Sequence, residues 1–285
     1  MMKLGSTIDP FARYGEHRYE KMKQYGFSYL DFSLADTNSA YYTASEDEVK
    51  KMLKAEIDLA AASGVTIYQT HGPWRWPSKD DTEEDRAERM EKMKKSIHLT
   101  SLIGCKYWIV HPIMPHAIYE RKDPEKSKST WDINRPFMRE LIKTAHEENV
   151  IICLENMPMP EFSLGKVEDI IKFVKEMDDP NFKICLDTGH AAVTKEACGD
   201  AVRAIGKDLL ATLHIHDNNG IHDQHRLPYF GVIDWPDFTK ALHEIGFDGS
   251  FNYELVDAKN LPDRFQEEIM LKTYSEIGRH LMGEQ

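Results

Sequence analysis

Almost every apolar run in this chain ends with a side chain that can bind a metal ion. The runs are short and far apart in the sequence, yet each places a histidine, aspartate or glutamate at or just beyond its last apolar residue. Residues so distant meet only if the runs are parallel strands, because a barrel or an open parallel sheet brings the carboxyl ends of its strands to one face. The residues concerned are His71, His111, Glu155, Asp187, His190, His214 and Glu254.

The composition is that of an ordinary globular protein. Of the 285 residues, 41% are hydrophobic and 29% are charged, and no apolar run approaches membrane-spanning length. The net charge of −12 disfavours a nonspecific grip on nucleic acid, which depends on lysine and arginine. No secretory signal is visible, so we expect a cytoplasmic protein without a membrane partner. Cys105, Cys153 and Cys185 lie in or beside apolar runs and are predicted to be packing residues.

Apolar runs alternate with amphipathic stretches of helical period, and we count eight such pairs. The clearest helix covers residues 46 to 62, where Ser45 and Glu48 can form a capping box and Gly64 can end the helix. Eight repeats predict a single (β/α)8 barrel over residues 1 to 285, with its active site at the carboxyl ends of the strands. Further helices are predicted at 81 to 103, 132 to 147, 166 to 177, 196 to 205, 235 to 244 and 262 to 281.

The alternative fold is a doubly wound open sheet. Against it, no glycine-rich nucleotide-binding motif follows any strand, and the ligand-type residues are spread over six runs rather than gathered at one switch point. The longest irregular stretches, 72 to 80, 113 to 131 and 218 to 234, all follow predicted strands and therefore lie on the functional face. The stretch after the fourth strand is basic in its second half and is predicted to be a solvated flap.

The strongest chemical signal is the set formed by Glu155, Asp187, His214 and Glu254. Three carboxylates and an imidazole suit one divalent ion, with Mn²⁺ as first choice and Mg²⁺, Co²⁺ or Zn²⁺ as alternatives. Taken singly, Glu155 can be a helix cap or ion-pair partner, Asp187 an N-cap and Glu254 a solvated strand end. His216 shares a strand face with His214, so spacing alone leaves both histidines open as the ligand.

Several motifs resemble the xylose isomerase-like TIM-barrel superfamily over nearly the whole chain. They are ENMP at 155 to 158, LDTGH at 186 to 190, HIHDN at 214 to 218, DQHRLPYFGVIDW at 223 to 235 and YEL at 253 to 255. The resemblance implies a metal-dependent sugar isomerase or epimerase. In the ketose 3-epimerase branch, the positions matching Glu155, Asp187, His214 and Glu254 hold one divalent metal. The two glutamates there also transfer the proton through an enediolate.

The same resemblance suggests which residues contact a sugar or polyol. It assigns His190 to a substrate oxygen, and the arginine that binds substrate in that branch corresponds to either Arg226 or His225. His71 and His111 end the third and fourth strands, where each can bind a sugar hydroxyl, hold a second ion or be structural. Trp74, with Arg75 and Trp76 beside it, can pack against a sugar or simply cover the barrel. Relatives are often homodimers or homotetramers.

Two other activities remain open on the same site. One is dehydration or cleavage of a keto-inositol, in which His190 or His111 serves as an additional acid. The other is phosphodiester hydrolysis, because the nine ligand types of the three-zinc enzyme endonuclease IV all have counterparts here. Its additional metal ligands correspond to His71, His111, His190, Asp223 and His225.

Overall fold

A computed structural model describes residues 1–75, 77–116, 118–256 and 261–283. Its centre is a sheet of eight parallel strands in the order β7-β6-β5-β4-β3-β2-β1-β8. A bridge between Ile215 and Tyr253 brings the two edge strands together, so the sheet closes into a barrel and the open-sheet alternative is wrong. The strands are β1 (Lys3–Thr7), β2 (Tyr29–Ser33), β3 (Thr66–His71), β4 (Tyr107–Val110), β5 (Ile151–Glu155), β6 (Phe182–Asp187), β7 (Leu210–His214) and β8 (Ser250–Tyr253).

Helices surround the barrel and connect its strands, as the (β/α)8 prediction requires. Short 3₁₀ helices cover Asp9–His17 and Glu120–Lys122, and a π-helix covers Gln266–Leu271. The α-helices are α1 (Arg18–Gln24), α2 (Ala40–Thr43), α3 (Glu46–Ala62), α4 (Glu83–Ile103), α5 (Pro124–Glu147), α6 (Val167–Met177), α7 (Thr188–Val193), α8 (Cys198–Ile205), α9 (Trp235–Ile245), α10 (Asp263–Phe265) and α11 (Lys272–Leu281).

The limits and the buried face of helix α3 follow from its local sequence. The Glu48 carboxylate accepts hydrogen bonds from the Ser45 backbone N–H (3.1 Å) and hydroxyl (2.6 Å). Val49 and Leu53 are buried on the face that the helical period predicts. Gly64 follows the helix with φ +73°, a conformation that glycine adopts at little cost. The predicted helix and its capping box are confirmed.

The prediction for the segment after β4 is wrong in part. Helix α5 begins at Pro124 rather than at residue 132, because Asp123 accepts hydrogen bonds from the N–H groups of Glu125 and Lys126 and proline fits the first helical position. The segment is not a solvated flap either. Glu120 is 2% exposed and accepts hydrogen bonds from the Thr130 hydroxyl (2.5 Å) and the Ser163 N–H (3.1 Å).

Other helix limits differ by one or two residues at the start. Helix α4 begins at Glu83 because the Thr82 hydroxyl accepts from the Asp85 N–H and makes Thr82 the N-cap. The predicted helix at 262 to 281 consists of α10, the π-helix and α11. No helix in the described ranges is both long and apolar enough to cross a membrane.

The layer of the barrel interior just below the strand ends contains mostly small and polar side chains. Cys153 and Cys185 pack with Ile109 one layer below the strand ends. All four cysteines are buried and free, as the packing prediction for three of them requires. Around them, Gln69, Thr212 and Asn252 are also fully buried. The large apolar side chains instead fill the space between the strands and the surrounding helices.

Candidate metal and substrate site

Glu155, Asp187, His214 and Glu254 lie together at the carboxyl ends of the strands. The first three end β5, β6 and β7, and Glu254 directly follows β8. Each offers one ligand atom, and these atoms all lie within 4.8 Å of one another. We call these four residues the carboxylate group. Parallel strands therefore bring the four predicted ligands to one place, and their role as ligands stays a prediction.

Glu155 lies at the centre of the site and is 1% exposed. Its Oε1 accepts from His214 Nδ1 at 2.8 Å, and its Oε2 lies 3.0 Å from His111 Nε2 and 3.4 Å from His71 Nε2. Burial opposes ionisation of Glu155, but the neighbouring His214 and His111 hold the pKa of its carboxyl well below the usual range. The carboxylate is therefore charged, although it is fully enclosed.

The two carboxylate oxygens of Asp187 accept hydrogen bonds from different groups. Its Oδ1 accepts from the His190 backbone N–H at 2.7 Å and caps α7, while its Oδ2 accepts from His216 Nε2 at 2.9 Å. Burial raises the pKa of Asp187, but His190 and His216 outweigh it, and the net pKa lies below the ordinary value. The N-cap interpretation is thus correct and compatible with membership of the carboxylate group.

His214 rather than His216 belongs to the carboxylate group. Its Nδ1 lies 2.8 Å from Glu155 Oε1 and 3.3 Å from Glu254 Oε2. The ring of His216 instead stacks on that of His225, with 4.0 Å between centroids. The geometry thus places His214 with the carboxylate group and His216 in a neighbouring cluster, and which of the two holds a metal stays a prediction.

A second cluster adjoins the first and consists of His190, His216, Asp223 and His225. We call it the histidine group. Asp223 Oδ2 lies 3.2 Å from His190 Nε2 and 3.1 Å from His225 Nε2. Burial lowers the pKa of His225, but the hydrogen bond to Asp223 and the charge of Glu254 raise it to about 9. Against the effect of burial, His190 and the other histidines lower the pKa of Asp223.

Three of the histidines are oriented by backbone carbonyl groups. The Nδ1–H of His71 donates to Gly72 O (2.8 Å), that of His190 to Asn156 O (2.7 Å) and that of His225 to Glu254 O (3.0 Å). In each case Nε2 is left facing a carboxylate of the site. This is how proteins orient metal-binding histidines, because the outer hydrogen bond fixes the tautomer and directs the other nitrogen inward.

The donor chemistry fits a divalent cation. Within the described ranges, the carboxylates of both groups form ion pairs with histidines and with no lysine or arginine. Buried carboxylates are costly unless charge compensates them, and oxygen-rich sets with imidazole suit Mn²⁺, Mg²⁺, Co²⁺ or Zn²⁺. The carboxylate group could hold one such ion. The histidine group, or His71 with Glu155 and His214, could hold another.

A cleft of about 220 Å³ opens over both groups. Besides His71, His111, Glu155, His190, Asp223, His225 and Glu254, it is lined by Trp74, Arg75, Arg89, Met114, Met157, Pro158 and Met159. The Trp74 side chain is half exposed, and its ring lies 6.1 Å from that of His111. This places an aromatic face at the opening of the cleft, where sugars commonly pack. Trp76 lies outside the described residues.

Arg226 does not line the cleft in the described part of the chain. Its guanidinium donates to the Phe230 carbonyl at 3.4 Å, and its backbone pairs with Asp217. His225 instead faces the site, so of the two positions compared with the epimerase arginine, the histidine is the one that lines the cleft.

Two buried polar residues at or beside the site, one on a strand and one on a helix, were not predicted from the sequence. Asp31 on β2 is 3% exposed, and its Oδ2 accepts from His214 Nε2 at 2.8 Å. Arg89 on α4 is 4% exposed, donates to Asp80 at 2.6 Å and lines the cleft. A carboxylate inside the apolar run FSYLDFSL was the available signal for Asp31, whereas Arg89 lies among many other charged residues of its helix.

The model of the family described as xylose isomerase-like TIM barrel matches residues 19–274, which is most of the chain. The chain belongs to this family. Its fold and its site at the strand ends thus agree with the resemblance seen in the motifs.

Individual relatives are more distant. The chain is 28% identical over 238 residues to a D-psicose 3-epimerase of Ruminiclostridium cellulolyticum, covering 81% of this chain and 74% of the relative. An uncharacterised protein of Methanocaldococcus jannaschii is 31% identical over 156 residues, and the match spans only 54% of this chain and about half (52%) of that relative. A solved D-tagatose 3-epimerase-like structure superposes with a TM-score of 0.74 at 25% identity, covering 98% of this chain and 99% of the other.

Proposed function

We propose that this family member is a divalent-metal-dependent isomerase or epimerase acting on a sugar, sugar phosphate or polyol. One observation carries the proposal: three carboxylates and an imidazole converge at the bottom of a cleft, and no lysine or arginine of the described residues neutralises them. The similarity to D-psicose 3-epimerases supports sugar chemistry. The structure offers residues for each step of such a reaction.

A divalent cation held by the carboxylate group would make the C–H bond beside a ketose carbonyl acidic. Glu155 and Glu254 then serve as the acid/base pair, one removing the proton and the other returning it to the opposite face. They project from β5 and from the end of β8, on either side of His214. Glu155 is enclosed, whereas 26% of the Glu254 side chain is exposed. The two carboxylates therefore differ in how far they are exposed to solvent.

The substrate would lie between the carboxylate group and Trp74. His71, His111, His190 and His225 line that space and can bind hydroxyl groups, and Trp74 can pack against the C–H face of the sugar. The cleft of about 220 Å³ has room for a small molecule and not for a polymer duplex. We propose Mn²⁺ as the ion, because three carboxylate donors favour a hard cation over one that prefers thiolates.

Proton exchange gives a direct test. Protein purified without chelator is analysed for metal by elemental analysis. It is then incubated with ketoses, inososes and their phosphates in deuterated water, and C–H exchange is followed by NMR. We expect one Mn²⁺, Co²⁺ or Mg²⁺ per chain, with exchange that is lost after chelation and restored by added ion. Metal-loaded protein that exchanges no C–H bond of any of these compounds contradicts the proposal. Loss of water from an inosose would instead assign the dehydratase alternative.

The histidine group favours a second candidate, a multi-metal phosphodiester hydrolase. All nine ligand types of endonuclease IV have counterparts at this site, and Asp223 lies within hydrogen-bond distance of both His190 and His225. Several zinc ions could activate a water there. Cleavage of duplex DNA containing an abasic site, with and without chelator, tests this activity. Two or three Zn²⁺ per chain together with chelator-sensitive incision would replace the isomerase proposal.

A further inference from the structure

His214 differs from the other histidines of the site in its outer partner. His71, His190 and His225 each donate Nδ1–H to a backbone carbonyl and turn Nε2 inward. His214 is reversed: Nδ1 faces the carboxylate group and Nε2 donates to the carboxylate of Asp31 at 2.8 Å. A charged acceptor forms a stronger hydrogen bond than a carbonyl does.

Asp31 reaches His214 across the barrel interior. Strand β2 is not a neighbour of β7, because β1 and β8 separate them in the sheet. Backbone pairing therefore does not bring the two residues together, and the contact depends on their side chains. The residues are 183 positions apart in the sequence, and both side chains are almost completely enclosed.

A buried carboxylate in this position destabilises the folded state. Asp31 is 3% exposed, and the only ion pair that it forms with a described residue is the one with His214. A buried charge without a lysine or arginine costs several kcal/mol (order of magnitude) unless other groups compensate it. An apolar residue would fill the barrel layer at lower cost, so stability alone does not account for an aspartate here.

Gln69 on β3 holds the Asp31 carboxylate in place. Its Nε2 donates to the same Oδ2 atom at 2.8 Å and to the Leu213 carbonyl at 3.3 Å. Because Leu213 immediately precedes His214, Gln69 connects the acceptor to the strand that carries the histidine. The Asp31 oxygen is thereby fixed relative to the His214 ring.

We propose that Asp31 is a positioning residue for the metal site. In the metal-free protein both ring nitrogens of His214 face carboxylates; if a divalent ion replaces the proton that Nδ1 donates to Glu155, Asp31 would keep the other proton on Nε2 and so leave the Nδ1 lone pair directed into the carboxylate group. The inference rests on the proposed metal-dependent function. It adds a fifth residue to the metal centre, one that acts through His214 and contacts neither ion nor substrate.

The test measures metal affinity and needs no turnover. Purified wild-type protein is stripped with chelator and titrated with Mn²⁺ by calorimetry, beside Asp31→Ala and the isosteric Asp31→Asn. We expect Asp31→Ala to weaken binding about 10- to 100-fold, the usual effect of removing a carboxylate behind a metal-binding histidine. Asp31→Asn keeps an acceptor without the charge and is expected to lose less. Thr212→Val is the matched control, because that hydroxyl is buried in the same barrel interior and faces the Cys153 and Cys185 thiols rather than a residue of the site. Its affinity should stay within about twofold of wild type.

A spectroscopic measurement separates positioning from a general structural role. In protein labelled with ¹⁵N-histidine and loaded with Zn²⁺, we expect the Nε2–H proton of His214 to resonate far downfield and to exchange slowly with solvent because it is bonded to Asp31, and we expect this signature to be lost in Asp31→Ala. Should Asp31→Ala fail to fold, Asp31→Asn decides by affinity and by the same spectrum. Folded Asp31 variants that bind Mn²⁺ within about twofold of wild type and keep the His214 signature overturn the inference alone. A wild-type protein that binds no divalent ion overturns the proposed function instead.

Discussion

Glu155, like His214, belongs to two of the three clusters of described residues that could hold an ion. Its two carboxylate oxygens contact different histidines, so the side chain cannot rotate without breaking a hydrogen bond. Glu254 has fewer contacts and a partly exposed side chain. At the scale of single residues, the site thus combines one fixed carboxylate with one that is open to the cleft.

Replacing either glutamate with glutamine should remove proton transfer while leaving the shape of the site. We expect Glu155→Gln and Glu254→Gln each to lower kcat about 10²- to 10⁴-fold, because an amide cannot act as a general base. Metal binding should weaken less than in Asp187→Ala. Steady-state kinetics and metal titration measure both effects, with Glu244→Gln, on the outer surface of α9, as the control. Near-normal turnover in both glutamine variants with metal bound would show that other residues transfer the proton.

The histidines predict opposite pH trends for stability and metal binding. In the metal-free protein the pKa of His225 is about 9, and the pKa values of His190 and His214 lie well above the ordinary 6.5. Burial lowers each of these pKa values, but the surrounding carboxylates outweigh it. Since the folded pKa values exceed the unfolded ones, the stabilisation is fully present below about pH 6.5 and is lost as pH rises towards 9. Metal must displace these protons, so its affinity should rise over the same range.

Urea unfolding of chelator-treated protein and Mn²⁺ titration, each at several pH values between 6 and 9, measure the two trends. The metal-free protein should lose stability as the pH rises, while the apparent Kd for Mn²⁺ should fall. A flat stability curve together with a pH-independent Kd would mean that these histidines are already neutral at pH 6.

At the scale of elements, the short helix α7 orders the site. Asp187 caps it, His190 lies in its first turn, and Gly189 packs directly against His216. The Thr188 hydroxyl donates to the His216 carbonyl at 2.8 Å, so the helix and the end of β7 are joined twice. Six residues therefore connect the carboxylate group to the histidine group.

Gly189→Ala should disrupt this connection. A Cβ there would lie 1.9 Å from His216 Cε1, so the ring must move and break its hydrogen bond to Asp187. We expect weaker metal binding as well as lower stability. Gly104→Ala is the control, because at φ +76° with open space it costs only about 1–2 kcal/mol of backbone strain and lies far along the chain from the site. Unchanged metal affinity in Gly189→Ala would show that His216 can move without affecting Asp187.

An element could be predicted when a local sequence pattern marked it. The strand ends could be predicted because apolar runs stop at His71, Glu155 or Asp187, and a parallel barrel makes those ends meet. The first turns of α5 could not be predicted, because EKSKST lacks apolar periodicity and the capping Asp123 is one charged residue among many. Asp31 was missed for another reason: its partner His214 lies 183 residues away, and no local pattern encodes that contact.

For the whole molecule, the site should link metal binding to stability. The carboxylate group gathers residues from the ends of four strands, and the histidine group joins the segments that follow β6 and β7, so an ion that binds them stabilises the folded chain and not the unfolded one. At a free Mn²⁺ concentration about 100 times Kd, the gain is about 2.7 kcal/mol, or roughly 5–10 °C in Tm for a chain of this size.

Thermal unfolding with chelator and with excess Mn²⁺ measures this gain. Asp187→Asn provides the control, since asparagine can still cap α7 but supplies no charge to the ion. That variant should unfold at nearly the same temperature with and without Mn²⁺. An equal gain in wild type and Asp187→Asn would place the stabilising ion elsewhere.

The buried cysteines provide a way to measure opening of the barrel. Cys153 and Cys185 lie one layer below the carboxylates, and Cys105 and Cys198 are also shielded from solvent. A thiol reagent can therefore reach Cys153 and Cys185 only when the barrel opens, and their rate of labelling measures how often that happens. Slower labelling of these two thiols in the presence of a divalent ion would show directly that the ion holds β5 to β8 together at their carboxyl ends.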